Sequence, residues 1–247
     1  MFRIVFIASA LLGLVSQVHA GIILPGDLNP GDPFRVLITT STTTQAYATS
    51  IDYYDQHVQN AVANSPLLGF PAGDWQVLGS TFGTSARDHT NTNPTVDVGV
   101  PIYRPDGVRL ADNYVELWSG YLQAAPNITE LGMVSTHTVV WTGSYVHGTE
   151  ANWELGNRGV VNSGQNVNAH RYGRWFHNGN PWQWNELPLF GISPVLTHSG
   201  GSTDPAPATV PEPSTFLMMT IGMAGLYISQ RRRRNQCSSG LSPAADS

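Results

Sequence analysis

The 247-residue chain contains no lysine at all. That absence removes Schiff-base chemistry, a lysine general base and the phosphate-binding P-loop, each of which needs an ε-amine. Cysteine is nearly as scarce. Cys237 is the only one, and it follows the arginine block Arg231, Arg232, Arg233 and Arg234. Everything before that block therefore lacks a disulfide, a cysteine nucleophile and a thiolate metal ligand. Charge is sparse as well, at 12% of residues, and positions 21–198 carry seven arginines against about twice as many carboxylates. Nucleic acid and sulfated glycan bind through a basic patch that releases counterions, so an acidic domain argues against both as main ligands. No 20- to 50-residue repeat is visible, which excludes solenoids and propellers.

What is present is strongest at the two ends. Met1 to Ala20 has a positive charge at Arg3, an apolar stretch Ile4 to Val15 and the small-x-small box Val18-His19-Ala20. This pattern predicts a signal peptide cleaved between Ala20 and Gly21, and hence export. Near the other end, Val210-Pro211-Glu212-Pro213-Ser214 precedes the apolar run Phe216 to Ile228 and then the four arginines. As a helix that run measures about 20 Å, shorter than the roughly 30 Å hydrocarbon core, and it spans only with local thinning and snorkelling flanks. Arg231, Arg232, Arg233 and Arg234 resist translocation and act together as a membrane stop, leaving residues 235–247 as a cytoplasmic tail. Pro211 and Pro213 keep the motif non-helical, an extended strip that a processing enzyme can grip. The combination at residues 210–234 resembles the PEP-CTERM sorting signal of bacterial surface and exopolysaccharide-associated proteins. The resemblance implies an exosortase-type processing enzyme as a partner, anchoring in the inner membrane through the C-terminal helix, and a final location at the cell surface or in the extracellular matrix.

Between the ends, residues 21–198 are sized for one domain, and the Gly/Ser/Pro-rich stretch 199–209 is expected to be a linker. The sequence predicts a strand at Phe34 to Thr40, followed by Ser/Thr hydroxyls at Thr40 to Thr44 suited to capping a helix over Ala46 to Asn64. Ile51, Tyr54, Val58 and Val62 form its apolar stripe, with Asp52, Asp55, Gln56 and Gln59 facing away. Further strands are expected at Gly73 to Ser80, Val100 to Tyr103, Thr138 to Trp141 and Leu187 to Ile192, the last of the core strands. A short helix is expected at Asn113 to Trp118, a surface loop at Thr81 to Thr95 and a long loop region at Gly143 to Gly173. The fold class is α+β.

Two stretches carry a second resemblance. Val100 to Leu110, leading to Glu116-Leu117-Trp118-Ser119-Gly120, and Val139-Val140-Trp141-Thr142-Gly143-Ser144 with Gly148, are similar to segments of the endostatin-like branch of the C-type-lectin-like folds. Leu187 to Ile192 stands in place of that family's final strand. The likeness runs from about Phe34 to Thr197 and implies an endostatin-like domain. The disulfide cysteines, the zinc-holding histidines and the heparin-binding arginines of that family are absent, so metal and heparin binding do not carry over.

Candidate chemistry is thin. Trp175, Trp182 and Trp184 crowd one region. Their leading interpretation is core filling, and the alternative is a platform for stacking on sugar rings. If residues 181–185 are extended, Trp182 and Trp184 share a face, bordered by Gln183, Asn185 and Glu186. Glu150 and Glu154, four apart, share a face only on a helix, which glycines 148, 156 and 159 disfavour. With Asp106 they are the candidates for a glycan-modifying hydrolase, although Asp106 in Pro-Asp-Gly is better explained as a turn residue. His147, His170 and His177 are the histidines that could meet as a metal set, and their spacing fits no zinc motif. Ser144 lies outside a Gly-x-Ser-x-Gly elbow. The expectation is a non-enzymatic protein without cofactor or metal, serving adhesion, matrix structure or contact with exopolysaccharide.

Overall fold

Pro33–Thr39 forms β1, the central strand of the computed structural model, which describes residues 23, 25–65, 72–167 and 171–199. The expected signal peptide with its Ala20–Gly21 junction, the expected linker beyond residue 199, the sorting motif Val210, Pro211, Glu212, Pro213 and Ser214, and the apolar run lie outside the described residues. So do the arginines expected to act as a membrane stop, Arg231, Arg232, Arg233 and Arg234, and His170. Along β1 the period-two rule holds. Phe34, Val36 and Ile38 enter one apolar cluster with Tyr54, Val58, Trp75, Val77 and Trp141, while Leu37 enters a second with Ile102, Phe190, Ile192 and Trp175. The sheet thus has a core on each face.

The other strands are β2 (Gln76–Val77), β3 (Ile102–Tyr103), β4 (Arg109–Ala111), β5 (Val139–Trp141), β6 (Ser163–Gln165), β7 (Phe190–Ile192) and β8 (Leu196–Thr197). The main sheet runs β2-β7-β1-β3-β4, with β8 also on β1, and β5 pairs with β6 in a separate ladder. β3 lies parallel to β1, whereas β7 and β8 run antiparallel to it. The arm 190–198 therefore follows β1 back along its length, from Phe190 opposite Thr39 to Thr197 opposite Pro33. Ser193 N donates to Val36 O between those pairings, and two bonds close the end, Gly31 N to His198 O and His198 N to Asp32 O, both 2.9 Å. The architecture is mixed α+β, mostly strands with few helices.

Helix α1 (Ile51–Ala63) is shorter than expected. It starts where the Ser50 side chain accepts from Asp52 N, and the hydroxyls of Thr40 to Thr44 take no part in the cap. The stripe is as anticipated, with Tyr54, Val58 and Val62 buried, and Gly191 of β7 admits Val58 so closely that a Cβ there would collide with it. Asp55 does not face away. Its carboxylate accepts from Val77 N at 2.7 Å and pairs with His89 at 2.9 Å, tying α1 to β2.

The expected strand over Gly73 to Ser80 shrinks to β2, because Ala72–Asp74 is a 3₁₀ turn. The expected surface loop Thr81 to Thr95 contains α2 (Ala86–His89), capped by Ser85, and buries Thr90 and Thr92 with their hydroxyls 2.9 Å apart. The short helix expected at Asn113 to Trp118 is α3 (Tyr114–Leu117), with Asn113 as its N-cap and Trp118 as its C-cap. The long loop region 143–173 supplies β6, and β8 follows the strand expected to be last. Among the described residues, no helix is long and apolar enough to cross a membrane.

Candidate functional site

Where β1 ends, the chain must leave a buried ladder while keeping its polar backbone satisfied. Residues Thr40 to Thr44 achieve this with their own hydroxyls and with side chains from three distant segments. Thr40 Oγ1 donates to Thr42 O and accepts from Leu189 N. Ser41 gives its backbone N–H to Glu130 Oε2 at 2.8 Å and its hydroxyl to Oε1, so the carboxylate of Glu130, a residue only 1% exposed, clamps the loop. Thr42 Oγ1 meets His57 Nε2 at 2.9 Å, and Thr44 Oγ1 meets Tyr53 OH at 3.1 Å, both on α1. Trp141 Nε1 holds Thr44 O from below at 2.9 Å, and Ala46 N donates to Gln183 O.

The loop, α1 and the 183–187 segment enclose a groove of about 500 Å³ whose walls include Thr43, Gln45, Tyr47, Tyr53, His57 and Glu186. A second hollow of about 360 Å³ adjoins it, and His57 lines both, with Ser41, Thr42 and Glu130 on the far side. Burial pushes the His57 ring below its ordinary value and outweighs the fields of Glu130 and Glu186, which act the other way. Burial lowers His177 as well.

Unfolded, both rings take up protons near pH 6.5. A neutral ring in the fold therefore favours folding fully above that pH, and the advantage is lost as pH falls towards the lowered folded values. The melting temperature is expected to drop from about pH 6.5 to 5 more steeply in the native chain than in a His57→Gln/His177→Gln variant; equal slopes would refute this.

The three grouped tryptophans separate. Trp175 is fully buried among Trp118, Phe176 and Phe190, as the core-filling expectation has it, and cannot touch a glycan. Trp182 and Trp184 are about half exposed and stack on each other, centroids 4.6 Å apart and planes 8° from parallel. The segment carrying them is not extended. Asn185 N bonds Trp182 O in a tight turn, pinned by Gln183 N on Gly159 O, and the turn brings the rings together on one side. Gln183, between the two indoles, bonds Ala46, between two residues of the groove wall, and Glu186 follows two positions after Trp184. The indole pair and the groove are thus joined through the backbone.

The carboxylates singled out earlier are occupied elsewhere. Glu150, in a hairpin whose arms pair Ser144 with Glu150, accepts from Gly83 N at 2.9 Å. Glu154 accepts from Asn157, and no helix carries the two. Asp106 sits in the β3–β4 turn, paired with Arg104 at 2.5 Å. Ser144 is buried against Ser80 Oγ at 2.6 Å and bonds no histidine among the described residues. His147 faces Trp118 O, and His177 faces the Tyr145 ring. Among the described residues, no group of three or more His, Cys, Asp or Glu is placed to hold a metal ion. His57, Glu130 and Glu186 are not legible as a set in the sequence, because no local pattern links them. The one available signal is the alternation Trp182, Trp184, Glu186.

Comparison with known proteins bears on the tail. Residues 209–234 match the PEP-CTERM protein-sorting motif. The matched span takes in the Pro-Glu-Pro motif, the apolar run and the whole block from Arg231 through Arg232 and Arg233 to Arg234, and it marks an exported protein sorted by exosortase. No curated protein matches the chain.

Proposed function

We propose that this PEP-CTERM chain is a non-enzymatic component of the cell surface or extracellular matrix whose folded domain, of endostatin-like or C-type-lectin-like kind, contacts exopolysaccharide. In this reading the signal peptide is removed before Gly21. The C-terminal helix holds the protein in the inner membrane, and processing near Val210–Ser214 releases it for display. The observation that carries the glycan reading is the Trp182–Trp184 stack, two half-exposed indoles whose segment is joined through its backbone to a groove walled by hydroxyl, amide and carboxylate groups. Large aromatic faces left in water are costly unless they cover something, and the apolar face of a pyranose stacks on indole while its hydroxyls meet polar neighbours. The hydrolase alternative has no comparable support, since Glu150, Glu154 and Asp106 each bond to neighbours in separate turns.

The test is titration of the host's exopolysaccharide against the purified full chain and its Trp182→Ala and Trp184→Ala variants. Each substitution is expected to weaken binding about tenfold, roughly 1.4 kcal/mol, while the lost ring stack lowers stability by about 0.5–1.5 kcal/mol, well short of unfolding the domain. Undiminished affinity in both variants would remove the stack from the site. For the tail, intact mass of the native-host protein is expected to end near Pro211 to Ser214, and a Pro211→Ala/Glu212→Ala variant is expected to retain Arg231–Arg234. A native mass reaching Ser247 would mean a permanent anchor.

A further inference from the structure

The groove linked to the indole pair through Gln183 and Ala46 has a chemistry of its own. Its ionisable wall groups are Glu186 and His57, with Tyr47 and Tyr53 supplying rings and Thr43 and Gln45 supplying neutral polar atoms. Among the described residues no arginine lines it or the adjoining hollow, and the chain has no lysine. Across His57, the buried Glu130 carboxylate adds a second negative group, fixed by Ser41. Burial disfavours the charged form of His57, so its ring is a weak source of compensating positive charge. The two carboxylates differ in one respect. Both oxygens of Glu130 are engaged, whereas Glu186 is exposed and has no ion-pair or hydrogen-bond partner among the described residues.

A ligand group filling this space meets a carboxylate with open acceptor sites, aromatic rings and hydroxyls. An anionic sugar, a uronate or a sulfate, is repelled by Glu186 in the groove and, from the adjoining hollow, by Glu130. A neutral sugar leaves Glu186 without a charged donor. A protonated amine satisfies the carboxylate through a charge-assisted hydrogen bond, and aromatic faces favour a cation within about 6 Å of their centres. The Trp182–Trp184 stack, linked to the same wall through Gln183 and Ala46, indicates a sugar as the bearer of that amine.

We propose that the groove formed by residues 43–48, α1 and Glu186 is a subsite for the free amino group of an amino sugar, with Glu186 as its counter-ion. This rests on the glycan-contact reading and narrows it, from polysaccharide in general to polymers carrying unacetylated amines.

The experiment titrates the full chain in detergent, at about pH 6 where a sugar amine is protonated, with three tetrasaccharides of equal length. These are the glucosamine tetramer, the N-acetylglucosamine tetramer and cellotetraose. The expected result is about tenfold tighter binding of the glucosamine tetramer than of the other two. Glu186→Gln should erase that preference, bringing the glucosamine tetramer to the affinity that the same variant shows for cellotetraose, because the amide keeps shape and polarity and loses only charge. Trp184→Ala should weaken all three. Thermal melts of each variant establish that it folds, and Glu186→Gln, at an exposed position, should melt with the native chain. Equal binding of the three tetramers, or a preference that survives Glu186→Gln, overturns the amine subsite and leaves glycan contact standing. No binding of any tetramer or of the host polysaccharide removes both. A tetralysine peptide competing as well as the glucosamine tetramer also overturns the proposal, since the groove would then select a cation without regard to sugar.

Discussion

Replacing Trp141 by alanine is expected to lower the stability of the domain by about 3–5 kcal/mol, the usual loss for a fully buried tryptophan. For a domain of this length that corresponds to a drop in melting temperature on the order of 10 °C. Trp141 has no exposed surface, shares the cluster of Val36, Ile38, Tyr54 and Val77, and gives its indole N–H to Thr44 O. Two losses therefore coincide. A large cavity opens under the sheet, and the carbonyl of Thr44, in the loop that builds the groove, loses that donor. Trp141→Phe separates them, since it refills most of the volume and restores no donor. Urea unfolding of both variants should rank Trp141→Ala well below Trp141→Phe, with glycan affinity reduced in both. A Trp141→Ala protein melting within about 2 °C of the native chain would show that the cluster can close around the gap.

Gly143→Ala is expected to cost a comparable amount for a different reason. Gly143 sits at φ +62, a left-handed conformation that penalises a Cβ by roughly 1–2 kcal/mol. An added Cβ would also fall on Leu155 N and Ser80 O, which are the donor and acceptor of one 2.9 Å hydrogen bond. Neither is a flexible side chain that can swing aside, so the bond must part or the backbone must move. Gly83 is the control. Its φ is +74 and the space around it is open, so Gly83→Ala carries the conformational penalty alone. Chemical denaturation should place Gly143→Ala at least about 2 kcal/mol below Gly83→Ala, with the Gly143 variant failing to accumulate at 37 °C if its total loss approaches the stability of a small domain. Equal losses would mean that the Leu155–Ser80 contact is dispensable.

Both positions lie in Val-Trp-Thr-Gly-Ser, a stretch whose strand and following glycine are legible from sequence. So are β1, the apolar stripe of α1, the proline-glycine turn after β3 and the short helix near Asn113 to Trp118. Each depends on neighbours within a few residues, through side-chain alternation, helical period or turn chemistry. The start of α1 is harder to place because seven of the eleven residues from Thr40 to Ser50 carry a hydroxyl able to cap a helix, and only packing selects Ser50. The charge of Asp55 points to the solvent face, yet a backbone N–H from β2 and His89 await it. The segment 81–95 reads as surface because its residues are polar. Threonines 90 and 92 are nevertheless buried, hydroxyl to hydroxyl, and Trp118 Nε1 bonds Thr92. The groove illustrates the same limit at longer range. Its clamp joins Ser41 to Glu130, its imidazole comes from α1 and its open carboxylate from residue 186, and no sequence window holds them together.

The arm 190–198 has a mechanical consequence. It lies along β1 with its exit at His198, beside Asp32, while the groove-forming loop leaves the other end of β1, about 20 Å away at the usual rise per residue. If the chain beyond His198 is held and a polymer is gripped at the groove, the pull runs parallel to the strands. The rungs between β1 and the arm then slide against one another under a shared load and do not open one at a time from an end. Under that condition the load falls on the longest ladder among the described residues, in the direction in which such a ladder yields last.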